Sequence, residues 1–316
     1  MSLSLSSARS SASRVDRRRL ATVILNTDRC GDTLSCLKSL SEQTYDDNKI
    51  IVLDNCATED CSSEIAHTYP DVDLIQLSVN KGYAGNNNVG IEAALETGAE
   101  WVLILNEDVL LDPDALARLM DAVTARSDVG MAGPLVYHSD EPTVIQSAGG
   151  ILNKYWLAYH RGQNEEDRNQ FDHVEEVDWI SGCAILIRRA VIQDVGSLDE
   201  RYFYYWEETE WCLRARRAGW KIILVPQSRV WHKGVQRDYQ PGPSTTYYWT
   251  RNWLMSLAKH NAPLSAWLFA GAQITRTLLS WTIKPSWSAK RDHRDAMLQG
   301  SLDFLRRRWG SRPVNR

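Results

Sequence analysis

Short apolar runs alternate with segments of helical spacing in the first third of this chain of 316 residues. No other feature of the sequence restricts the fold as strongly. The apolar runs occupy residues 20–25, 49–53, 73–77 and 101–105, and the helical segments lie at 33–40 and 85–97. Strands that alternate with helices through short connections predict an α/β fold with a mostly parallel central sheet flanked by helices.

Polar side chains follow three of these four runs, at the point where each predicted strand ends. The clusters are Asn26, then Asp54 with Asn55, then Asn106, Glu107 and Asp108. In open sheets of parallel strands, ligands bind beyond the carboxyl ends of the strands. We therefore expect these side chains to line a common ligand site.

The acidic residues after the fourth strand favour a divalent cation, either Mg²⁺ or Mn²⁺. Hard cations take oxygen ligands, and Mg²⁺ usually combines one or two carboxylates with substrate phosphates. An exposed loop with an acidic helix cap would give the same pattern. The next helix is predicted to begin here, with Asp112 as its N-cap and Pro113 at its first position.

An aromatic block at residues 202–206 stands directly before Glu207, Glu208 and Glu210. Acidic residues are favoured at a helix N-terminus by the macrodipole, which is one explanation of this pattern. The other is catalytic, because a partly dry aromatic pocket raises the pKa of a carboxyl group towards that of a useful general base. An aromatic wall also suits the apolar face of a sugar.

Two further segments have both a structural and a functional interpretation. His232 follows a strand that is predicted at 221–225 and closed by Pro226. It is a metal ligand only if the fold brings it to Asp108, since a lone histidine is more often structural. The Gly/Asn loop at 80–88 lacks the glycine spacing of a dinucleotide fingerprint. It predicts amide contacts to a nucleotide or sugar, or a plain turn with a helix cap.

Charge is distributed unevenly around a net value of −4. Residues 1–20 carry +4 and residues 284–316 carry +6, which leaves −14 on the body between them. We expect no nucleic-acid partner from this balance. The basic ends are either solvated tails or contacts to an anionic membrane surface.

The termini and the cysteines predict a cytoplasmic protein. Residues 1–19 are rich in Ser and Arg without an apolar core, which favours a disordered tail over a secretory signal. The six cysteines form no C-x-x-C pair and are expected to be reduced. Residues 244–316 are predicted helical, and residues 264–283 form an amphipathic helix that lies in a membrane interface or packs on the core.

Taken together, the motifs closely resemble those of family-two glycosyltransferases with the GT-A fold, especially the rhamnosyltransferase-like branch. The resemblance extends over residues 21–252. It rests on VILN at 23–26, LDNCATED at 53–60, NKGYAGNNN at 80–88, LNED at 105–108, GCAILIRR at 182–189, the block 196–210, VWH at 230–232 and RN at 251–252.

The resemblance implies a GT-A domain at residues 20–243, with a nucleotide-binding half at 20–110 and an acceptor half at 111–243. It implies that Asp108 and His232 bind the metal, and that Gly182 and Trp206 contact the acceptor. Glu208 becomes the catalytic base in place of the family's usual Asp, with Glu207 as the alternative. The implied contacts to the nucleotide-sugar are Asn26, Asp54, Asn55, Asn80, Gly82, Asn86, Asn87, Asn106, Glu107 and Arg251.

The implied activity is an inverting transfer of a sugar, rhamnose as first choice, from a nucleotide-sugar to a glycan or lipid-linked acceptor in surface polysaccharide synthesis. A catalytically silent nucleotide-sugar-binding protein on the same fold is the alternative, because a fold does not by itself imply a function. A nicotinamide-dependent oxidoreductase is disfavoured, since no glycine fingerprint follows the first strand.

Overall fold

The computed structural model describes residues 20–55, 61–234 and 238–313. Its strands are β1 (Leu20–Asn26), β2 (Asn48–Asn55), β3 (Asp73–Leu77), β4 (Trp101–Asn106), β5 (Val109–Leu111), β6 (Val129–His138), β7 (Ile145–Ser147), β8 (Gly150–Leu152), β9 (Ala158–His160), β10 (Glu175–Glu176), β11 (Ala184–Arg188) and β12 (Lys221–His232). Its α-helices are α1 (Cys30–Ser41), α2 (Cys61–Thr68), α3 (Gly82–Glu96), α4 (Ala115–Thr124), α5 (Arg189–Val195), α6 (Glu207–Arg217), α7 (Pro243–Lys259), α8 (Leu264–Ile283) and α9 (Arg291–Leu305). A 3₁₀ helix, Pro285–Lys290, joins α8 to α9. The predicted tail at 1–19 lies outside the described residues.

One large sheet organises the described part of the chain, with its main path in the order β10-β12-β6-β11-β4-β1-β2-β3. β5 pairs with β12, and β7 pairs with β6. The strands β1, β2, β3, β4, β6 and β12 run in one direction, while β11 is antiparallel to both of its neighbours. The prediction of a mostly parallel α/β sheet is confirmed.

Both faces of the central strands are covered, which explains why β1 and β4 are apolar along almost their whole length. In β1, Ala21, Val23 and Leu25 point into one buried cluster. Leu20 and Ile24 point into a second cluster on the opposite face. Because side chains alternate along a strand, a single apolar run contributes residues to both hydrophobic cores.

Two predicted boundaries were wrong for local reasons. The fourth helix begins at Ala115, because Asp112 and Pro113 form a turn in which Asp112 accepts a hydrogen bond from the Asp114 N–H. The strand that contains Pro226 continues to His232, since the ladder between β12 and β6 shifts register between Val225 and Arg229. An irregularity of this kind accommodates a proline that a regular ladder would reject.

The expectation that every cysteine is reduced was also wrong. Cys30 and Cys61 are joined by a disulfide, although 31 positions separate them in the sequence. The bond connects the first residue of α1 to the first residue of α2. Cys36, Cys183 and Cys212 are free and buried.

The C-terminal helices pack on the domain and leave one apolar face uncovered. Ala266 and Ala270 of α8 are fully buried against α7, with Trp267 and Ile274 packed partly around them. On the outer face of the same helix, Leu264 is 72% exposed. The interpretation that this segment packs on the core therefore holds for one face of α8, while contact of the other face with a membrane stays a prediction. Within the described residues, no helix combines the length and hydropathy needed to cross a membrane.

Candidate active site

A cavity of about 350 Å³ lies over the carboxyl ends of β1, β2 and β4. Parallel pairing sets Asn26 opposite Asp54 and Leu25 opposite Asn106, so the three polar strand ends meet at one edge. The cavity is lined from this edge by Asn55, Asn106, Glu107 and Asp108, and from other segments by Asn80, Gly82, Asn86 and His232. The strand ends thus meet at a concave surface as expected, although Asn26 and Asp54 do not line it.

Asp108 and His232 meet through the pairing of two strands. The short strand β5 turns back after Asp108 and sets Val109 opposite His232 of β12. As a result, Oδ1 of Asp108 lies 3.2 Å from Nε2 of His232. The other ring nitrogen of His232 is 2.8 Å from Oε1 of Gln146 on β7. An Nδ1–H donated to that oxygen directs Nε2 towards Asp108.

This pair suits a divalent cation held jointly by the protein and a substrate. Adjacent ligands of an octahedral ion at about 2.1 Å lie roughly 3 Å apart, which is near the separation of the two donor atoms. Oδ1 of Asp108 is buried, and no described residue donates it a hydrogen bond of good geometry. The described residues contain no group of three acidic, histidine or cysteine side chains suited to a metal. Water and phosphate oxygens would supply the other ligands.

The charges around Asp108 favour its ionised form. Burial would raise the pKa of this carboxyl group, but the proximity of His232 and the charge of Arg29 outweigh burial and hold the pKa below its ordinary value. Nη1 of Arg29 is 2.5 Å from Oδ2 of Asp108. The neighbouring Glu107 has a raised pKa because it is buried, although its hydrogen bond from Thr27 opposes that shift.

Asp54 is held in place by a network of short polar side chains. It accepts hydrogen bonds from Nδ2 of Asn26 at 3.1 Å and from Oγ of Ser62 at 2.7 Å. Asn26 in turn accepts a hydrogen bond from the Thr33 hydroxyl. Asn26 and Asp54 are buried beneath the cavity, whereas Asn55 lines it. Asn26 therefore orients Asp54.

The loop before α3 links the strand ends to the aromatic block. Oδ1 of Asn80 accepts hydrogen bonds from the Gly82 N–H and from Nδ2 of Asn86. Gly82 has φ +74°, and a Cβ there would lie 2.3 Å from the carbonyl oxygen of Phe203. Only glycine permits this close approach. Asn87 does not line the cavity; its amide donates to the Tyr83 carbonyl and its side chain is buried.

Glu207 and Glu208 begin α6 in a buried environment. Burial raises the pKa of Glu208 to about 6, although backbone N–H groups of the helix start oppose that shift. The pKa of Glu207 lies well above its ordinary value because of burial and the charge of Glu208. Glu207 is 4% exposed, whereas Glu208 remains partly exposed.

Glu208 adjoins the cavity through Tyr83 rather than lining it. A Cβ at Gly182 would lie 3.1 Å from the Tyr83 hydroxyl and 3.5 Å from Cγ of Glu208, so the three residues are neighbours. The Tyr83 hydroxyl donates to the Gly182 carbonyl at 2.5 Å, and Tyr83 lines the cavity. Oε2 of Glu208 is buried and receives no hydrogen bond from the described residues. A hydroxyl group that enters here would find an acceptor.

Arg251 and Trp206, which the resemblance implies as contacts to the nucleotide-sugar and to the acceptor, are buried and do not line the cavity. Arg251 is fully buried in α7 and donates to the carbonyl oxygens of Tyr202 and Gly310. Its neighbour Asn252 donates to three carbonyl oxygens of the aromatic block. Trp206 is buried and packs against Trp249. These residues hold the aromatic block in shape, including the positive φ angles that it adopts.

Sequence reasoning did not single out Arg29, Gln146 or Tyr83. Arg29 and Gln146 are distant in sequence from the residues they contact, and neither belongs to a charged or aromatic cluster. Tyr83 lies within the 80–88 loop, in which only the asparagine amides were predicted to contact a ligand. Its position between Gly82 and Gly85 in a loop predicted to contact a ligand is the sequence pattern that indicates a role for this aromatic residue.

The sequence profile of the glycosyltransferase like family 2 matches residues 18–250. An N-acetylglucosaminyl-diphospho-decaprenol L-rhamnosyltransferase of Mycobacterium tuberculosis is 28% identical over 297 residues, which cover 86% of this chain and 90% of the relative. The dTDP-rhamnosyl transferase RfbF of Shigella flexneri is 26% identical, with 68% and 72% of the two chains covered. The rhamnosyltransferase WbbL of Escherichia coli is 26% identical over 62% of this chain and 77% of its own.

Solved structures with the same fold include two complexes that contain Mn²⁺. The mannosyltransferase PcManGT of Pyrobaculum calidifontis, in complex with GDP-Man and Mn²⁺, superposes with a TM-score of 0.58 at 14% identity. The alignment covers 92% of this chain and 88% of that one. GalNAc-T7 with UDP, GalNAc and Mn²⁺ has a TM-score of 0.63 at 14% identity, with 92% and 58% covered.

Proposed function

The chain belongs to glycosyltransferase family 2, and from this premise we propose that it transfers a sugar from a nucleotide-sugar to an acceptor hydroxyl with inversion, assisted by a divalent cation. It has the GT-A fold and is a sugar-transferring enzyme of the rhamnosyltransferase-like branch, which acts in cell-surface polysaccharide synthesis. The observation that carries the finer proposal is the Asp108–His232 pair beside the cavity at the strand ends.

The donor half of the proposed site divides between nucleotide and diphosphate. Asn55, Asn80 and Asn86 would contact the nucleoside, because they line the cavity beside β2 and α3, whereas Asp54 is buried beneath it. The diphosphate would lie at Asp108 and His232. These two residues would hold the cation, which would neutralise negative charge on the departing diphosphate.

Glu208 is the proposed general base. A carboxyl group with a pKa of about 6 is mostly ionised at neutral pH and still takes up a proton readily. It would remove the hydroxyl proton as the acceptor oxygen bonds to the anomeric carbon on the face opposite the diphosphate. One displacement inverts the configuration, and no second protein carboxylate is needed to form a covalent intermediate. Glu207 remains the alternative base.

The proposed donor sugar is rhamnose, and the proposed acceptor is a lipid-linked saccharide. Both follow from similarity to the mycobacterial relative, whose name specifies an N-acetylglucosaminyl-diphospho-decaprenol acceptor. The shape of the C-terminal region supports an acceptor that resides in a membrane. Ile283 is 71% exposed at the end of α8, and exposed Trp287, Lys284 and Arg291 follow it. The apolar ridge of α8 consists of its exposed residues Leu264, Leu268, Leu279 and Ile283. Such a ridge beside tryptophan and basic side chains is typical of an interfacial helix.

A chain of side-chain contacts through α9 and α7 connects α8 to the cavity. Trp281 of α8 packs against His293 of α9, which is 2.8 Å from the Thr246 hydroxyl at the start of α7. The hydroxyl of the preceding residue, Thr245, is 3.4 Å from the hydroxyl of Tyr205, which lines the cavity. Peripheral contact of α8 with an anionic bilayer would therefore hold the cavity near the lipid-linked acceptor.

Product analysis with a panel of nucleotide-sugars tests the proposal. The protein is incubated with dTDP-rhamnose, UDP-sugars or GDP-sugars, Mn²⁺ and a polyprenyl-diphosphate N-acetylglucosamine acceptor, and the anomeric configuration of the product is read by NMR. We expect one donor to give a product of opposite configuration, and Asp108→Asn to give none. Asp114→Asn, at a half-exposed acid immediately before α4, is the matched control. Retention of configuration would refute the mechanism, and donor binding without any product would favour a silent binding protein.

A further inference from the structure

Arg29 occupies the junction between β1 and α1, where the donor cavity meets its most acidic residues. Its Nη1 atom is 2.5 Å from Oδ2 of Asp108, and its Nη2 atom is 2.8 Å from Oδ2 of Asp32. The side chain lines the cavity and is 38% exposed. Arg29 therefore has one side against protein carboxylates and another open to a ligand.

The two oxygens of Asp108 have different neighbours. Oδ1 faces Nε2 of His232, whereas Oδ2 faces the guanidinium of Arg29. Gly234 allows this crowding, since a Cβ there would lie 2.4 Å from Oδ2 of Asp108 and 3.5 Å from Nη1 of Arg29. A cation that uses Oδ1 and His232 would leave the contact between Arg29 and Oδ2 intact.

One divalent cation does not neutralise all the negative charge at this site, and Arg29 can neutralise the remainder. A nucleotide diphosphate ester brings about two negative charges, and Asp108 adds a third. One divalent cation cancels two of these three. A guanidinium has five N–H donors, so Arg29 can serve Asp108 and Asp32 and still present a donor to a phosphate oxygen.

We propose that Arg29 is a donor-binding residue that contacts the diphosphate of the nucleotide-sugar and fixes Asp108 as a one-oxygen ligand of the cation. This inference rests on the proposed function and specifies how its donor site distinguishes a nucleoside diphosphate from a monophosphate. The guanidinium supplies charge-assisted hydrogen bonds directed at the phosphates rather than at the nucleoside.

Calorimetric titration of nucleotides into single variants tests the assignment. dTDP and dTMP, with UDP and UMP in parallel, are titrated in Mn²⁺ and again in EDTA. In Arg29→Gln we expect affinity for the diphosphate to fall about 10- to 100-fold, the size of a charge-assisted contact. Monophosphate affinity should stay within about twofold, which also verifies that the variant is folded. The diphosphate loss should persist in EDTA, because the contact does not pass through the cation.

Two further variants sharpen the test. Arg29→Lys keeps the charge but loses the fork that joins two carboxylates, so diphosphate affinity should recover only in part. Arg118→Gln removes an exposed arginine of α4 and should change nothing. The assignment is overturned if Arg29→Gln binds the diphosphate like the wild type in EDTA, or loses both nucleotides equally. A wild-type protein that binds neither nucleotide would overturn the proposed function together with it.

Discussion

Replacement of Glu208 by Gln should remove activity and at the same time stabilise the protein. Burial raises the pKa of Glu208 from 4.5 to about 6. At neutral pH the folded protein therefore holds an ionised carboxylate in an environment that disfavours the charge. A shift of about 1.5 units corresponds to about 2 kcal/mol of folding free energy, which a neutral amide of similar shape would recover.

The pH dependence of this stabilisation follows from the sign of the shift. Below pH 4.5 the carboxyl group is protonated in the folded and unfolded states, so Glu208→Gln should match the wild type. Between pH 4.5 and about 6 only the unfolded state ionises, and wild-type stability falls as pH rises. Above pH 6 the difference is complete, at about 2 kcal/mol or roughly 4 °C in Tm.

Activity should move in the opposite direction. Loss of a general base typically lowers the rate by about 10²–10⁴-fold, so Glu208→Gln should retain donor binding while losing transfer. The wild-type kcat/KM should fall about tenfold per pH unit below about 6, where Glu208 becomes protonated. Glu208→Asp keeps the charge but withdraws it by about one methylene, and it should be intermediate.

Unfolding measured at pH 4.5 and at pH 7.5, beside transfer assays and donor titrations, checks both parts. Glu92→Gln, at an exposed position on α3, is the matched control and should change neither property. Equal stabilisation at the two pH values would refute the electrostatic argument. Wild-type transfer by Glu208→Gln with an inactive Glu207→Gln would move the base to the neighbouring residue.

The remaining predictions concern the metal pair and the membrane. His232→Ala should weaken Mn²⁺ binding in the presence of nucleotide, and unchanged Mn²⁺ titrations would remove this residue from the metal site. Gln146→Met should lower Mn²⁺ affinity about 10- to 100-fold through the orientation of His232, and an unchanged affinity would exclude that role. The protein should float with anionic liposomes in a salt-dependent manner, and the pair Leu268→Glu and Ile283→Glu should abolish flotation. Ile151→Glu, at an exposed residue of β8, is the control for these two substitutions. Equal flotation of all variants would contradict membrane binding through the ridge on α8.

Local pattern was sufficient for the sheet and for much of its edge. Apolar runs ended by polar residues identified β1, β2 and β4 within a few residues, because burial on two sides requires continuous hydrophobicity. The same strand ends pointed to the cavity that the structure shows. Of the residues implied by resemblance, Asn55, Asn80 and Asp108 line that cavity.

Long-range packing decided what local pattern could not. Arg251 and Trp206 belong to matching motifs, yet α7 buries both in carbonyl and aromatic contacts. Pro226 lies inside β12 because a shift in register between β12 and β6 accommodates it. No pattern in the neighbouring residues predicts that shift. The pairing of Cys30 with Cys61 depends on where two helices begin.

Carboxylates, amides and a histidine near the predicted strand ends can be recognised from residue type and order alone, whatever the distances between them. Tertiary structure decided which of them meet. Asp108 reaches His232 only through the return of β5, and Arg29 reaches Asp108 across 79 positions of sequence. Strand pairing is a cooperative property of the whole sheet, so such contacts have no local signature for a sequence pattern to reveal.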